Sequence, residues 1–338
     1  MTSLRSSPMK LLHLLPLVAL VVPAVTSHGG ILDFIAFVLV YGLFAMSLNL
    51  LVGYTGLVSF GHAMFFALGA YGFCLGLQAG LTTLVALAAA VGGAVAFAFL
   101  VGAVCVRLRE THFSFITLAC AMLVYNTIEA WTPVTGGDNG LTGMMQSATL
   151  MGASLASGVP RYLFIAAVFS VSAFALYAIV RSSFGATLRM IRDNEARTAY
   201  LGVNVYLTKL IAFTAAALFA ALAGVLATLL VSGAYPSMAA WTVSGDAIIT
   251  ILLGGSRVFY GPLAGALILR VLIDTTTRYT GSTSLVLGVL ILAIVLLLRK
   301  GPVDLLNERR VAKATLARTP VVVSQLVSTS SRPKETAC

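Results

Sequence analysis

From Ile31 to Val52 the chain carries one charged side chain, Asp33, and from Thr82 to Val106 it carries none. Runs of this kind recur as far as Leu298, and they leave few folds open. A helix needs about 20 predominantly apolar residues to cross the hydrocarbon core of a bilayer. In lipid every backbone N–H and C=O must be satisfied inside the structure, so only helices and closed barrels span. Barrel strands are about 9–11 residues long and alternate apolar with polar side chains. The runs here are longer and do not alternate. Composition agrees: 9% of residues are charged, against about 25% in soluble domains. The fold class that follows is an all-α polytopic membrane protein, with the lipid bilayer as its main solvent.

At a crossing length of about 20 residues, about ten spans can be drawn. They are Leu11–Val25, Ile31–Val52, Val58–Leu77, Thr82–Val106, Phe113–Trp131, Tyr162–Val180, Leu210–Val231, Val243–Gly254, Pro262–Asp274 and Ser284–Leu298. Val243–Gly254 and Pro262–Asp274 are short for a full crossing. They read either as one re-entrant hairpin or as two tilted, partly buried helices, so the bundle holds some short or broken members. Three parts follow: an N-terminal segment with the first span (1–30), a transmembrane domain (31–300) and a cytoplasmic tail (301–338). From Ala312 onward the tail lacks an apolar helical stripe and is expected to be poorly ordered. Arg5 and Lys10 before a short apolar run resemble a signal peptide. Further spans follow at once, so an uncleaved start-transfer helix is expected.

The formal net charge is +10, but the cations gather at the N-terminus, in two internal polar segments and in the tail. No aromatic-basic face accompanies them, so nucleic acid is not an expected partner. Lys and Arg mark cytoplasmic loops. Arg5 and Lys10, Arg107 and Arg109, the 181–209 segment and the tail then all lie inside, giving an N-in/C-in topology. The loop Thr132–Pro160 contains no Lys or Arg and falls outside. Arg270 and Arg278 fit this scheme less well; one of them would sit in a polar crevice or mark a miscounted span. The four cysteines form no C-x-x-C pair and the four histidines are scattered, which gives no metal site or disulfide framework.

Between Arg181 and Lys209 the chain reads RSSFGATLRMIRDNEARTAYLGVNVYLTK. Phe184, Leu188 and Ile191 recur at i, i+4, i+7, one apolar helical face. Asp193 or Asn194 can cap a second short helix from Glu195 to Leu201, with Gly202 as its stop. The segment reads as a plain topology-fixing loop or as a docking element. Capped helices and a Gly stop favour docking, since fixing topology needs neither.

This segment resembles the cytoplasmic coupling loop in the permeases of branched-chain amino acid ABC importers. The match rests on Arg181, Ser182, Phe184, Gly185, Leu188, Ile191, Arg192, Asn194, Glu195, Leu201, Gly202 and Asn204. Met190 and Arg197-Thr198 depart from the small residues usual there. The Glu195-to-Gly202 separation is one residue longer than in the generic ABC-importer motif. Further blocks follow in the family's order: Asn49 to Ala63 (NLLVGYTGLVSFGHA), Arg107-Leu108-Arg109 with Phe113 and Ile116 to Ala119, Thr135 to Leu141 (TGGDNGL), and Gly254-Gly255-Ser256 with Gly261-Pro262. Glu110-Thr111-His112 departs from the pattern. The blocks cover roughly residues 30–300 and are closer to the M-type than to the H-type of the two permeases.

The resemblance implies a permease that translocates branched-chain amino acids or related small solutes in a bacterial inner membrane. It also implies partners: ABC ATPase subunits, a second homologous permease and an extracytoplasmic solute-binding protein. ATPase coupling would fall to Phe184, Gly185, Arg192, Asp193, Asn194, Glu195, Ala196 and Gly202, with Arg192 and Glu195 presenting charge to the ATPase. Ser59, His62, Thr117 and Asp246 are candidates for the translocation path. Gly53, Gly56 and Gly61 can break a helix there and expose backbone groups, tolerated only beside protein or water. A simple interhelical turn, with His62 as a packing residue, is the plainer reading. Asp33, Glu129, Asp246 and Asp274 are the acids in or at the spans, and intramembrane acids are functional candidates by default; Asp33 and Glu129 read as span-end residues.

The sequence contains no G-x-x-x-x-G-K-[ST] loop, so ATP is expected to be used by partner subunits, with no cofactor on this chain and no enzymatic role. Alternatives are a urea or short-amide ABC permease, and a stand-alone secondary transporter or channel with Asp246 or Asp274 coupling to protons.

Overall fold

A computed structural model of the chain describes residues 29–108, 110–143, 147–150, 153–279 and 288. The expected first span, the tail and, apart from residue 288, the last span lie outside these. Helix α1 (Gly29–Asn49) runs on into a π-helical turn, Leu50–Thr55, which Gly56 ends in the left-handed conformation. After a non-helical stretch comes α2 (Ala63–Gln78), then α3 (Thr83–Cys105) and α4 (Glu110–Ala130). Short pieces follow: α5 (Thr132–Thr135), β1 (Leu141–Thr142), β2 (Thr149–Leu150) and β3 (Ala153–Ser154). Then come α6 (Gly158–Arg181), α7 (Ser183–Asp193), α8 (Glu195–Tyr200) and α9 (Val205–Val231). β4 (Gly233–Ala234) leads to α10 (Trp241–Gly254) and α11 (Gly261–Tyr279).

Among the described residues five helices are long and apolar enough to cross a membrane: α1 with its π turn, α3, α4, α6 and α9. The expected spans over α2, α10 and α11 are also helical, but α2 and α10 are short. α11 is longer than expected, 19 residues, and carries Arg270, Asp274 and Arg278. It pairs with α10 as a separate helix against α1, so 243–274 is two packed helices. The all-α expectation takes one amendment. β1 pairs antiparallel with β4 and β2 with β3, which ties the 132–160 loop to the α9–α10 connection.

Burial sorts the spans into core and rim. In α1 and α9, 78% and 72% of the spanning window is buried, against 28% and 22% in α3 and α4. Leu84, Phe99 and Leu100 of α3 and Phe115 and Leu123 of α4 are exposed, as a lipid-facing rim requires. Between α2 and α9 the backbones touch. A Cβ added to Gly224 would fall on the Phe66 carbonyl oxygen, and one on Gly69 would fall on that of Ala221. Lipid tails give helices no hydrophobic reason to associate, so contact of this closeness supplies van der Waals attraction instead.

Candidate functional site: an elbow joined to a buried polar seam

The elbow is built by local capping. Ser182 Oγ accepts from the Gly185 N–H at the start of α7. Asn194 Oδ1 accepts from the Arg197 N–H at 2.8 Å and starts α8. Asn204 does the same for α9, accepting from Leu207 at 3.1 Å. Gly202 sits at φ 84°, a left-handed position that lets α8 stop. Leu188 and Ile191 are buried and Phe184 packs against the core, so the expected apolar face turns inward. Gly185 lies against the last turn of α6: a Cβ there would meet the Val180 carbonyl.

The elbow's charges also act inside the chain. Arg192 and Glu195 remain partly exposed, but both use their charge within the chain. Glu195 Oε2 lies 2.7 Å from Nζ of Lys209, whose side chain is 5% exposed. Arg192 pairs with Asp193 and donates from Nη1 to the carbonyl of Gly53 in the π turn. The outward face also carries Tyr200, 92% exposed, and Leu201, 70% exposed, beside Ala196 and Arg197. Sequence reasoning missed Lys209, whose position before a span reads as a topology-fixing flank, and missed Tyr200 and Leu201 as surface residues.

From the π turn inward runs a seam of buried polar groups. The Ser47 hydroxyl donates to the Phe44 carbonyl at 2.7 Å and stands 2.9 Å from His62 Nε2. With that proton on the Phe44 carbonyl, Nε2 is the ring nitrogen that donates to Ser47 Oγ, which assigns Nδ1 as the acceptor. Among the described residues that Nδ1 is buried without a hydrogen-bond partner, as are Ser59 Oγ and Asn49 Oδ1. Asn49 Nδ2 reaches the Ser256 carbonyl between α10 and α11 at 3.3 Å, and Ser244 Oγ of α10 accepts from the Ala63 N–H at 2.8 Å. Ser114 Oγ of α4 donates to the Val58 carbonyl at 2.6 Å.

The structure thus brings three of the four path candidates together. Ser59 and His62 are on the broken segment, and a Cβ on Gly61 would strike the carbonyl of Thr117. Asp246 is not with them. Two residues beyond Ser244 it lies on the opposite face of α10, where it is exposed. Ser47, Asn49 and Ser244 were missed; polar residues inside otherwise apolar runs were the available signal. Asp33 and Glu129 are exposed at the helix ends away from the elbow, and Asp274 is half-buried.

Fold and site together define a multi-pass helical membrane permease, whose surface elbow is hydrogen-bonded to the broken helix at its centre. The family described as branched-chain amino acid transport system / permease component matches residues 30–298. The chain belongs to that family, as a permease subunit of ABC transporters in the bacterial inner membrane. It is similar to the high-affinity branched-chain amino acid transport system permease protein LivM of Salmonella typhimurium, 26% identical over 80% of this chain and 69% of that one. LivM of Escherichia coli K12 is 27% identical over 80% of this chain and 70% of its own. The ribose import permease protein RbsC of Escherichia coli K12 is 30% identical over 55% of this chain and 59% of its own. No solved structure matches the chain significantly.

Proposed function

We propose that this chain forms the path by which an ABC importer carries branched-chain amino acids, or related small solutes, into the cytoplasm. Separate ATPase subunits dock on the α7–α8 elbow, and a second homologous permease and an extracytoplasmic binding protein complete the assembly. Arg107, Arg181, Arg189, Arg192, Arg197, Lys209 and Arg257 gather at the elbow end with Asp193 and Glu195, while Asp33, Glu129, Asp138 and Asp274 lie at the other with Arg161 and Arg270. By the positive-inside rule the elbow end is cytoplasmic.

The observation that carries the reading is the hydrogen bond from Arg192 to Gly53. A push on the elbow reaches the π turn directly, and the π turn holds Asn49 beside Ser256 and leads into the Ser59–His62 segment. The unpartnered acceptors there are costly while dry, by about 1–3 kcal/mol each. Opening the seam to water or solute would give those atoms hydrogen-bond partners.

The test is ATP-driven leucine uptake by the full assembly in proteoliposomes. Arg192→Ala should keep ATP hydrolysis and lower uptake about tenfold or more, the equivalent of a lost charge-assisted hydrogen bond. Unchanged uptake would remove the coupling route. The ribose import permeases among the relatives favour a second reading, a neutral sugar, which the same vesicles decide with labelled ribose.

A further inference from the structure

Arg107 stands two residues past the end of α3, at the elbow end of the molecule, and is exposed. Its guanidinium lies 5.2 Å from the centroid of the Tyr206 ring. The Tyr206 hydroxyl donates to the Ala103 carbonyl at 3.1 Å. That bond holds the ring against the last turn of α3, and the ring face in turn attracts the cation. Among the described residues no hydrogen bond or ion pair reaches the Arg107 guanidinium. The elbow acids do not serve it, since Asp193 pairs with Arg192 and Glu195 with Lys209. A positioned cation is left with its charge unmatched.

Leu100, Val104 and Arg107 follow one another at i, i+4 and i+7 and so share one face of α3. Leu100 is 67% exposed and Val104 64%. On α9, Leu207 and Ile211 begin one residue after Tyr206 and are exposed as well. The face is apolar over two turns and then ends on the unmatched cation. A phospholipid has the same order, from acyl chain to phosphate. A free anion has no use for the apolar ridge, and hydrocarbon has none for the guanidinium. The planar fork of Arg suits phosphate oxygens, and basic sites on the cytoplasmic side of membrane helices take anionic headgroups. We infer that the end of α3 and Tyr206 form a binding site for an anionic phospholipid, with its phosphate on Arg107 and an acyl chain along Val104 and Leu100. A choline headgroup carries the same phosphate beside a fixed cation, which Arg107 repels. The bound lipid ties the end of α3 to the start of α9, three residues before Lys209 at the foot of the elbow. A cation that only snorkels also meets headgroups, but it needs neither a guanidinium nor a ring beneath it. Nothing in the site depends on which solute the chain carries.

The experiment takes the full chain with its partner subunits in detergent and titrates it with dioleoyl phosphatidylglycerol or dioleoyl phosphatidylcholine. Bound lipids are counted by native mass spectrometry. Wild type should prefer phosphatidylglycerol. Arg107→Gln should bind it at least about fivefold more weakly, the worth of one cation at an anionic surface, and should bind phosphatidylcholine as wild type does. Arg107→Lys keeps the charge without the planar fork, and Tyr206→Leu removes the ring under an intact Arg107. Each should lose part of the preference. Retained ATPase subunits check that every variant is folded. Equal phosphatidylglycerol binding by wild type and Arg107→Gln would overturn the inference. Full binding by both Arg107→Lys and Tyr206→Leu would overturn it too, since a snorkelling cation then suffices. Displacement of the lipid by an equal concentration of inorganic phosphate would assign the site to a free anion instead. In Leu100→Cys, a bismaleimide cross-link to the second permease subunit, absent in wild type, would show that protein covers this face and would equally defeat the lipid site.

Discussion

Lys209 is buried at the start of α9, and Glu195 is the ionic partner its ammonium has there. A buried ammonium without its carboxylate is an uncompensated charge, which destabilises the elbow. Glu195→Ala should lower the stability of the detergent-solubilised chain by about 1.5–3 kcal/mol, because the bond is charge-assisted but its acid is half-exposed. Glu195→Leu with Lys209→Met should recover most of the loss, since removing both charges leaves none stranded. Thermal unfolding of the four-member cycle measures this. Additive effects would mean that the two groups do not interact. Glu195→Arg would repel Lys209 inside the chain before any ATPase met it.

Among the elements, α2 and α9 depend on backbone contact. Gly224→Val would force the helices apart over the Phe66 carbonyl, at a cost of about 1–3 kcal/mol. Protease resistance of the purified chain should fall, while membrane insertion, which reads single spans, should not. Wild-type resistance would show that the contact is dispensable. The elbow makes a different demand. Gly202 has no atom within 4 Å of an added Cβ, so only its positive φ resists substitution. Gly202→Val should therefore cost about 1–2 kcal/mol through backbone strain alone. It should insert normally and co-purify with less ATPase than wild type. Full retention of the ATPase would mean that the end of α8 takes no part in docking.

For the molecule as a whole, the proposal requires the two ends to face different compartments. A reporter active only outside the cytoplasm should work when fused after Asp138 and fail after Glu195. The reverse pattern would invert the membrane orientation and separate the elbow from cytoplasmic ATP. Central α1 and α9 and peripheral α3 and α4 also set where a charge is tolerated. Arg at Val40, which is fully buried, has no snorkelling route, and centre-of-span charge costs about 2.5–3.5 kcal/mol on insertion scales. Arg at Leu100, exposed near the elbow end of α3, can reach the headgroups and should be inserted at near wild-type levels. Membrane-fraction immunoblots compare the two, and equal levels would contradict this division into core and rim.

What the amino-acid order determined alone are the properties that repeat locally. Apolar runs between Ile31 and Val231 had to become helices in lipid, because hydrocarbon leaves the backbone no other partner. Ser182, Asn194 and Gly202 had to punctuate the elbow, because caps and left-handed stops act within a few residues. Tertiary structure alone decided which polar groups meet. His62 and Ser47 are 15 positions apart, Asn49 and Ser256 are 207 apart, and Arg192 and Gly53 are 139 apart. No periodicity carries such a pairing; it follows from how α1, α9, α10 and α11 pack. The same packing exposed Asp246, buried Lys209 and set Arg270 over Phe37. An isolated charge in an apolar run shows that a partner is needed, and only the assembled bundle supplies it.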